Sequence, residues 1–270
     1  MTHMGNPVLR TNCMIATKEG PVGWIVFNNP ARRNAVSLEM WEALSDIVAD
    51  YANDPAIRVI VVRGAGGKAF VSGADISEFE QRRSTPESTE AYRQLSEQAT
   101  TDLQYVGKPT IAMIEGFCIG GGVSVALSCD IRIASESARF GVPAARLGLG
   151  YELAGVLKLV QIVGPAFAKE IFFTARQFSA QEAVAMGLVN RTVPDAELAS
   201  YVAGYSFTIA GNAPLTVSSI KTIVAETVKD AAQRDEALCD RVVAACFDSA
   251  DYAEGRRAFM EKRPPAFRGA

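Results

Sequence analysis

The segment "EGFCIGGGVSVALSCD", residues 115–130, places three consecutive glycines, Gly120 to Gly122, at the start of a run of small apolar residues typical of a helix. Glycine costs about 1 kcal/mol relative to alanine inside a helix, so helix propensity does not explain them. The first turn of a helix carries unpaired backbone N–H groups, and the helix dipole favours negative charge there. Glycine lets a ligand approach that backbone closely. The segment therefore predicts a turn-to-helix junction at which backbone N–H groups can hold an electron-rich oxygen.

A second junction of this kind lies in "GKAFVSGADISEFE", residues 67–80. Gly73, Ala74 and Asp75 follow an apolar stretch, and helical spacing resumes after them. Alone, this pattern also fits an ordinary strand-to-helix turn. Two N–H groups from two loops that converge on one oxygen would form an oxyanion hole. Neither glycine motif has the spacing of a phosphate loop or of a dinucleotide-binding loop.

The composition restricts the chemistry that the chain can perform. His3 is the only histidine, which excludes a Ser-His-Asp triad, a Cys-His pair and most zinc sites. We therefore expect no metal, and proton transfer has to use carboxylate, tyrosine, lysine, cysteine or water. The five cysteines are odd in number and never spaced as CxxC, which indicates reduced thiols in a cytoplasmic protein. The net charge of −3 with scattered cations argues against nucleic-acid binding, and no apolar run is long enough to span a membrane.

The first two thirds of the chain alternate Val- and Ile-rich runs with helical patterns, which predicts an α/β fold with parallel strand pairing. Predicted strands are residues 21–28, 57–64, 109–116 and 129–135. Ser37 can cap a helix over 37–54, and Ser179 with Glu182 can form a capping box for a helix over 179–188. After residue 195 only helical patterns follow, at 214–227, 231–249 and 252–263. We therefore divide the chain into a core of residues 1–195 and a helical region of residues 196–270.

Six segments resemble the crotonase superfamily, the enoyl-CoA hydratase and isomerase fold, in the family's order: "NNPARRNAVS" (28–37), "AFVSGADISEF" (69–79), "EGFCIGGGVSVALSCDIRIAS" (115–135), "ARFGVPAARLGL" (138–149), "FTARQFSAQEAVAMGLVNRTVP" (173–194) and "EGRRAFMEKRPPAF" (254–267). The resemblance implies a crotonase-like spiral of ββα turns with an appended C-terminal helical region that mediates homotrimers, often paired into homohexamers. It implies an acyl-CoA substrate, with coenzyme A entering as part of the thioester and no other cofactor. By motif matching, the thioester oxygen is held by the N–H groups of Ala74 and Gly121.

The resemblance also carries over candidate contacts to coenzyme A. Arg32, Arg33 and Ala35 match the segment that lines the entrance of the CoA site. The adenine and pantetheine loop corresponds to Ala74 and its neighbours, namely Ser72, Asp75 and Ile76. Phe259 and Lys262 match positions of the C-terminal helix that approach the nucleotide end.

Two positions depart from the hydratase pattern. A hydratase of this family uses two glutamates for general acid–base catalysis. The first would stand three residues after the middle glycine, where this chain has Ser124, and the second would follow Pro143, where it has Ala144. Because neither side chain can replace a carboxylate, the sequence argues against ordinary hydration.

The next segment, "RLGLGYELAGVLKLV" (146–160), offers Tyr151 and Glu152 instead. Together with parts of the C-terminal tail it resembles the methylmalonyl-CoA decarboxylases of the same superfamily, in which a tyrosine at the matching position lines the site. Decarboxylation needs no base, because loss of CO₂ supplies the electrons of the enolate. Alternatively, Glu152 could move a proton during isomerisation of an enoyl-CoA, or it could be a first-turn acid that points away from the substrate.

We therefore predict an enzyme, a lyase or isomerase that stabilises an acyl-CoA enolate, with decarboxylation or isomerisation favoured over hydration. A catalytically weak oligomer that binds acyl-CoA is the alternative. It would keep the two N–H donors and lack a competent acid or base.

Overall fold

The computed structural model describes residues 9–75 and 86–270, without the side chains of residues 86–89. The predicted contact Ile76 and the lone histidine lie outside the described residues.

The described strands form two sheets that the chain visits in turn. The strands are β1 (Met14–Glu19), β2 (Val22–Phe27), β3 (Val59–Gly64), β4 (Ala69–Val71), β5 (Thr110–Ile114), β6 (Phe117–Ile119), β7 (Ile131–Ser135), β8 (Arg139–Gly141), β9 (Phe178–Ser179) and β10 (Arg191–Val193). The larger sheet has the order β1-β2-β3-β5-β7-β10, and all its pairs are parallel except β1–β2. The smaller sheet has the order β4-β6-β8-β9 and is parallel from β4 to β8. In each of the strand pairs β3–β4, β5–β6 and β7–β8, the first strand belongs to the larger sheet and the second to the smaller sheet, and a helix follows. This repeat is the predicted spiral of ββα turns.

The described α-helices are α1 (Leu38–Asn53), α2 (Pro86–Tyr105), α3 (Gly121–Leu127), α4 (Ala144–Leu147), α5 (Leu153–Thr174), α6 (Ala180–Ala185), α7 (Leu198–Ala210), α8 (Pro214–Thr227), α9 (Glu236–Phe247) and α10 (Ala250–Glu261). Within α5, Gly164 has φ 75°, so the helix breaks there, directly before Pro165. In the described part of the chain, no helix is both long and apolar enough to cross a bilayer.

Helix α1 forms as the sequence predicts. The Ser37 hydroxyl accepts a hydrogen bond from Met40 N at 3.3 Å and so caps the first turn. Its apolar face is buried in the main core, and it consists of Met40, Trp41, Ala43, Leu44, Ile47, Val48 and Tyr51. The capping box of Ser179 and Glu182 is also present, at the start of α6. Local sequence signals therefore hold at both helix starts.

Helix α7 covers the other face of the larger sheet. Leu198 and Val202 are buried there with Val59, Val61 and Ile111 of the neighbouring strands. This helix lies beyond residue 195, yet it packs as part of the core of the sheet. The division of the chain at residue 195 stays a prediction.

Candidate active site

The glycines of the opening segment have different structural roles. Gly120 has φ 55° and ψ −112°, which makes the turn from β6 into α3. A Cβ at Gly122 would stand 2.1 Å from the carbonyl oxygen of Val71, so only glycine lets α3 pack this closely on β4. A Cβ at Gly121 would meet its nearest atoms, in Gly73 and Ala74, at 3.7–3.8 Å, which is ordinary contact. The backbone angles therefore explain Gly120 and steric fit explains Gly122, but neither explains Gly121.

Ala74 is held by a parallel bridge to Val36. Val36 N donates to Gly73 O at 2.9 Å, and Asp75 N donates to Val36 O at 3.1 Å. Because the bridge uses the groups on either side of Ala74, the N–H of Ala74 itself points away from Val36.

The amides of Ala74 and Gly121 lie side by side. The Cβ position at Gly121 is 3.8 Å from Ala74 N. Gly121 begins α3, so its N–H has no acceptor within the helix. Among the described residues neither amide donates a hydrogen bond to the protein. Two adjacent, unused donors from two loops are what an oxyanion hole requires.

A narrow recess of about 10 Å³, room for one water molecule, opens beside the start of α3. Its lining is Gly120, Val123, Ser124, Leu127, Val142, Tyr151, Gly155, Leu159 and Phe172. The only side chains in this lining with polar oxygen are Ser124 and Tyr151, and none of the described lining residues carries a charge. The wall of the recess is therefore mostly apolar and offers two neutral hydroxyls.

Tyr151 lies in the recess wall. Its ring packs edge-on against Phe172, with 4.9 Å between the ring centroids. Gly155 lies one turn further on, and a Cβ there would stand in ordinary contact with the ring, at 3.5 Å. Burial raises the pKa of the Tyr151 phenol above its ordinary value, so the hydroxyl stays protonated and can donate a hydrogen bond.

Glu152, the other residue proposed for catalysis, is not part of the recess lining. Its backbone is extended, with φ −79° and ψ 156°. The carboxylate is 62% exposed and lies 3.3 Å from the guanidinium of Arg93. The structure thus brings Tyr151, but not Glu152, to the recess beside the two amides.

The two positions that replace glutamates also differ in placement. Ser124 lines the recess, one turn into α3. Ala144 is the first residue of α4, is 5% exposed and is absent from the lining. Neither position provides a carboxylate to the site.

Most of the predicted CoA-entrance residues cluster around Ala74. Ser72 N donates to Arg33 O at 3.2 Å, and the Ser72 hydroxyl donates to Arg32 O at 3.4 Å. Arg32 Nη1 donates to both carboxylate oxygens of Asp75, at 3.0 and 2.8 Å. Ala35 is buried behind this turn.

The C-terminal candidates lie elsewhere on the surface. Phe259 is 84% exposed on α10, and Lys262, also exposed, ends that helix with φ 54°. Neither residue lines the recess of this chain. Their contact with coenzyme A stays a prediction.

Sequence reasoning missed the apolar part of the lining. Tyr151, Gly155 and Leu159 follow one another at intervals of four residues, a helical spacing that could have indicated a common face. Phe172 comes after the break at Gly164, and only the changed direction of the helix brings it to Tyr151. No group of three or more potential metal ligands occurs among the described residues.

Comparison with known proteins gives a consistent result. Residues 17–270 match the family model described as enoyl-CoA hydratase/isomerase. The short-chain-enoyl-CoA hydratase of Clostridium acetobutylicum is 34% identical over 94% of this chain and 97% of its own. The crotonyl-CoA hydratase of Syntrophomonas wolfei is also 34% identical, over 94% of this chain and 97% of its own. A crystal structure of an enoyl-CoA hydratase/carnithine racemase from Magnetospirillum magneticum superposes with a TM-score of 0.92 at 36% identity, covering 96% of this chain and 97% of that one.

Proposed function

Because this chain belongs to the enoyl-CoA hydratase/isomerase family of acyl-CoA enzymes, we propose that it stabilises the enolate of an acyl-CoA thioester and forms that enolate by decarboxylation. The N–H groups of Ala74 and Gly121 hold the thioester oxygen. The substrate is a CoA ester with a carboxylate on the carbon next to the carbonyl.

The observation that carries this proposal is that the described residues lining the recess beside the start of α3 are all neutral. Hydration and double-bond isomerisation both need a group that moves a proton on and off carbon. Ser124 and Tyr151 are the polar side chains of the lining, and neither is a base near neutral pH. Decarboxylation needs only a carboxylate oriented so that its bond to carbon can break while the oxyanion is stabilised.

The chemical step is balanced with water as the only further reactant. The bond between the α-carbon and the carboxylate breaks, CO₂ leaves, and the electron pair remains in the enolate whose oxygen accepts from Ala74 and Gly121. The α-carbon then takes one proton from water. The protonated hydroxyls of Tyr151 and Ser124 can donate to the carboxylate before it leaves, and the apolar walls favour neutral CO₂ over a buried anion.

Hydration is the second candidate, because the relatives with 34% identity are named as hydratases. Isomerisation through Glu152 would require its carboxylate to leave Arg93 and enter the recess, whose lining it is not part of. The acyl-CoA-binding oligomer without turnover remains the alternative from another class of function.

We also propose that the protein assembles as a homotrimer or homohexamer. Large apolar side chains on α5 and on the C-terminal helices are strongly exposed in the single chain: Leu153 is 80% exposed, Phe173 76%, Phe247 59% and Met260 80%. Exposed apolar surface of this extent is typical of protein interfaces. Sedimentation equilibrium would give the subunit number.

A panel of substrates tests the proposed reaction. The purified protein is incubated separately with methylmalonyl-CoA, malonyl-CoA and crotonyl-CoA, and the products are read by mass spectrometry. We expect loss of CO₂ from one of the first two and no gain of water on crotonyl-CoA. Multiple turnovers of hydration would contradict the proposal, and tight acyl-CoA binding with no product would favour the binding oligomer.

A further inference from the structure

The turn around Arg32 is joined to the loop that carries Ala74 by a partly buried ion pair. Arg32 Nη1 contacts both oxygens of the Asp75 carboxylate, at 3.0 and 2.8 Å. The Asp75 residue is 9% exposed, whereas the side chain of Arg32 is 54% exposed. The ion pair thus ties a surface side chain to the buried carboxylate that directly follows Ala74.

The loop needs such a constraint at this point. Gly73 has φ 111°, a conformation that glycine adopts freely and other residues rarely do, so the backbone before Ala74 has little intrinsic stiffness. Val36 holds the loop through two backbone hydrogen bonds, and Ser72 N adds one to Arg33 O. The direction of the Ala74 N–H therefore depends on contacts made by the residues on either side of it.

We propose that Arg32 and Asp75 are a positioning pair that aims the Ala74 N–H at the thioester oxygen, and that Arg32 is not a phosphate ligand of coenzyme A. The proposal rests on the proposed function only in taking Ala74 as an oxyanion donor. The Asp75 carboxylate already occupies Nη1 and offsets the charge of the guanidinium, which weakens its attraction for a phosphate. Neither residue touches the reacting atoms.

The test uses acetyl-CoA labelled with ¹³C at the thioester carbonyl, a small ester with no carboxylate to lose. A hydrogen-bonded carbonyl is polarised, and its ¹³C resonance moves downfield on binding. One titration followed by NMR gives both the shift of the bound ester and its Kd. The affinity for free coenzyme A is measured by calorimetry.

The variants are Arg32→Gln, Asp75→Asn and the two combined. Arg33→Gln is the matched control, because it removes the same charge from the same turn while its guanidinium lies over the Phe117 ring, 5.1 Å from the centroid. Circular dichroism checks that each variant is folded.

We expect Arg32→Gln and Asp75→Asn each to lose at least half of the downfield shift, with the double variant no worse than the single ones. The Kd for free coenzyme A should stay within about threefold of wild type, and Arg33→Gln should keep the full shift. Substrate turnover should fall about 10- to 100-fold in kcat, because small misplacements of catalytic groups are costly.

If the folded Arg32→Gln variant shows the same ¹³C shift as wild type, the proposal is overturned. If that variant also binds coenzyme A tenfold more weakly, Arg32 is a phosphate ligand. An equal loss of shift in Arg33→Gln would also overturn the proposal. If the wild-type protein itself shows no downfield shift, the oxyanion assignment of the proposed function has failed, which is a separate result.

Discussion

Replacing Gly121 or Gly122 by alanine should affect different properties of the protein, although the two residues are adjacent. We expect Gly121→Ala to lower catalysis and Gly122→Ala to lower stability. At Gly121 the new methyl group meets its nearest neighbours at 3.7–3.8 Å, so the fold accepts it. The same methyl stands 3.8 Å from Ala74 N, so we expect it to crowd an oxygen that must contact both amides. Losing one oxyanion donor costs about 2.7–4 kcal/mol, or roughly 10²- to 10³-fold in kcat. Stability should hold or rise by less than about 1 kcal/mol, because alanine is the better helix former.

At Gly122 we expect alanine to lower the stability of the fold instead. The methyl would stand 2.1 Å from the carbonyl oxygen of Val71, which is backbone in β4 and cannot rotate away. Separating α3 from β4 to ordinary contact distance is overpacking, which typically costs about 1–3 kcal/mol. For a chain of this size that corresponds to a fall in Tm of about 2–5 °C.

Thermal melts by circular dichroism and the ¹³C shift of bound acetyl-CoA measure both effects, and kcat is taken on whichever substrate the panel identifies. A Gly121→Ala variant with a full carbonyl shift and wild-type kcat would refute the predicted crowding of the oxygen at these two amides. A Gly122→Ala variant as stable as wild type would refute the steric argument. The two results are independent of each other.

Three further outcomes are expected. Tyr151→Phe should lower kcat about 10-fold or more, because it removes a hydrogen-bond donor to the substrate carboxylate. Glu152 is exposed, so Glu152→Gln should change kcat less than twofold. Equal effects of the two variants in steady-state assays would contradict the placement of the two side chains. Because burial raises the pKa of the Tyr151 phenol, the pH profile of kcat should show no tyrosine ionisation up to about pH 10. A fall in kcat centred below that pH, present in wild type and absent in Tyr151→Phe, would contradict this. The hydrogen bond from Lys18 lowers the pKa of Asp54, so this pair stabilises the fold above the ordinary carboxyl pKa, and that stabilisation is lost as the pH falls through the lowered pKa. Asp54→Asn should therefore make Tm fall less steeply as the pH is lowered. An unchanged fall of Tm at acid pH would exclude the pair as its cause.

The parts of the fold that the sequence predicts are those that depend on local signals. Ser37 caps its helix whatever surrounds it, and the Val- and Ile-rich runs become β2, β3, β5 and β7 of the larger sheet. The smaller sheet is a different case. Its strands β4, β6 and β8 have three residues each, too few for a periodic pattern, and they form because distant segments meet.

The candidate site divides in the same way. Motif and backbone chemistry predict the neighbouring amides of Ala74 and Gly121, because the glycines are needed wherever two loops approach closely. The direction of Glu152 depends on one pair of backbone angles at a helix start, and the position of Phe172 depends on the break in α5. Neither is a property of composition or spacing.

The packing of α7 also bears on how this architecture can be divided. A chain ended at residue 195 would leave Val59, Val61 and Ile111 uncovered on a whole face of the larger sheet. Such a fragment should aggregate, whereas one that ends after Gly211 keeps the cover in place. The smallest part of the chain that can be inherited as a stable spiral therefore includes α7. Recombination or gene truncation can remove only the helices that follow α7.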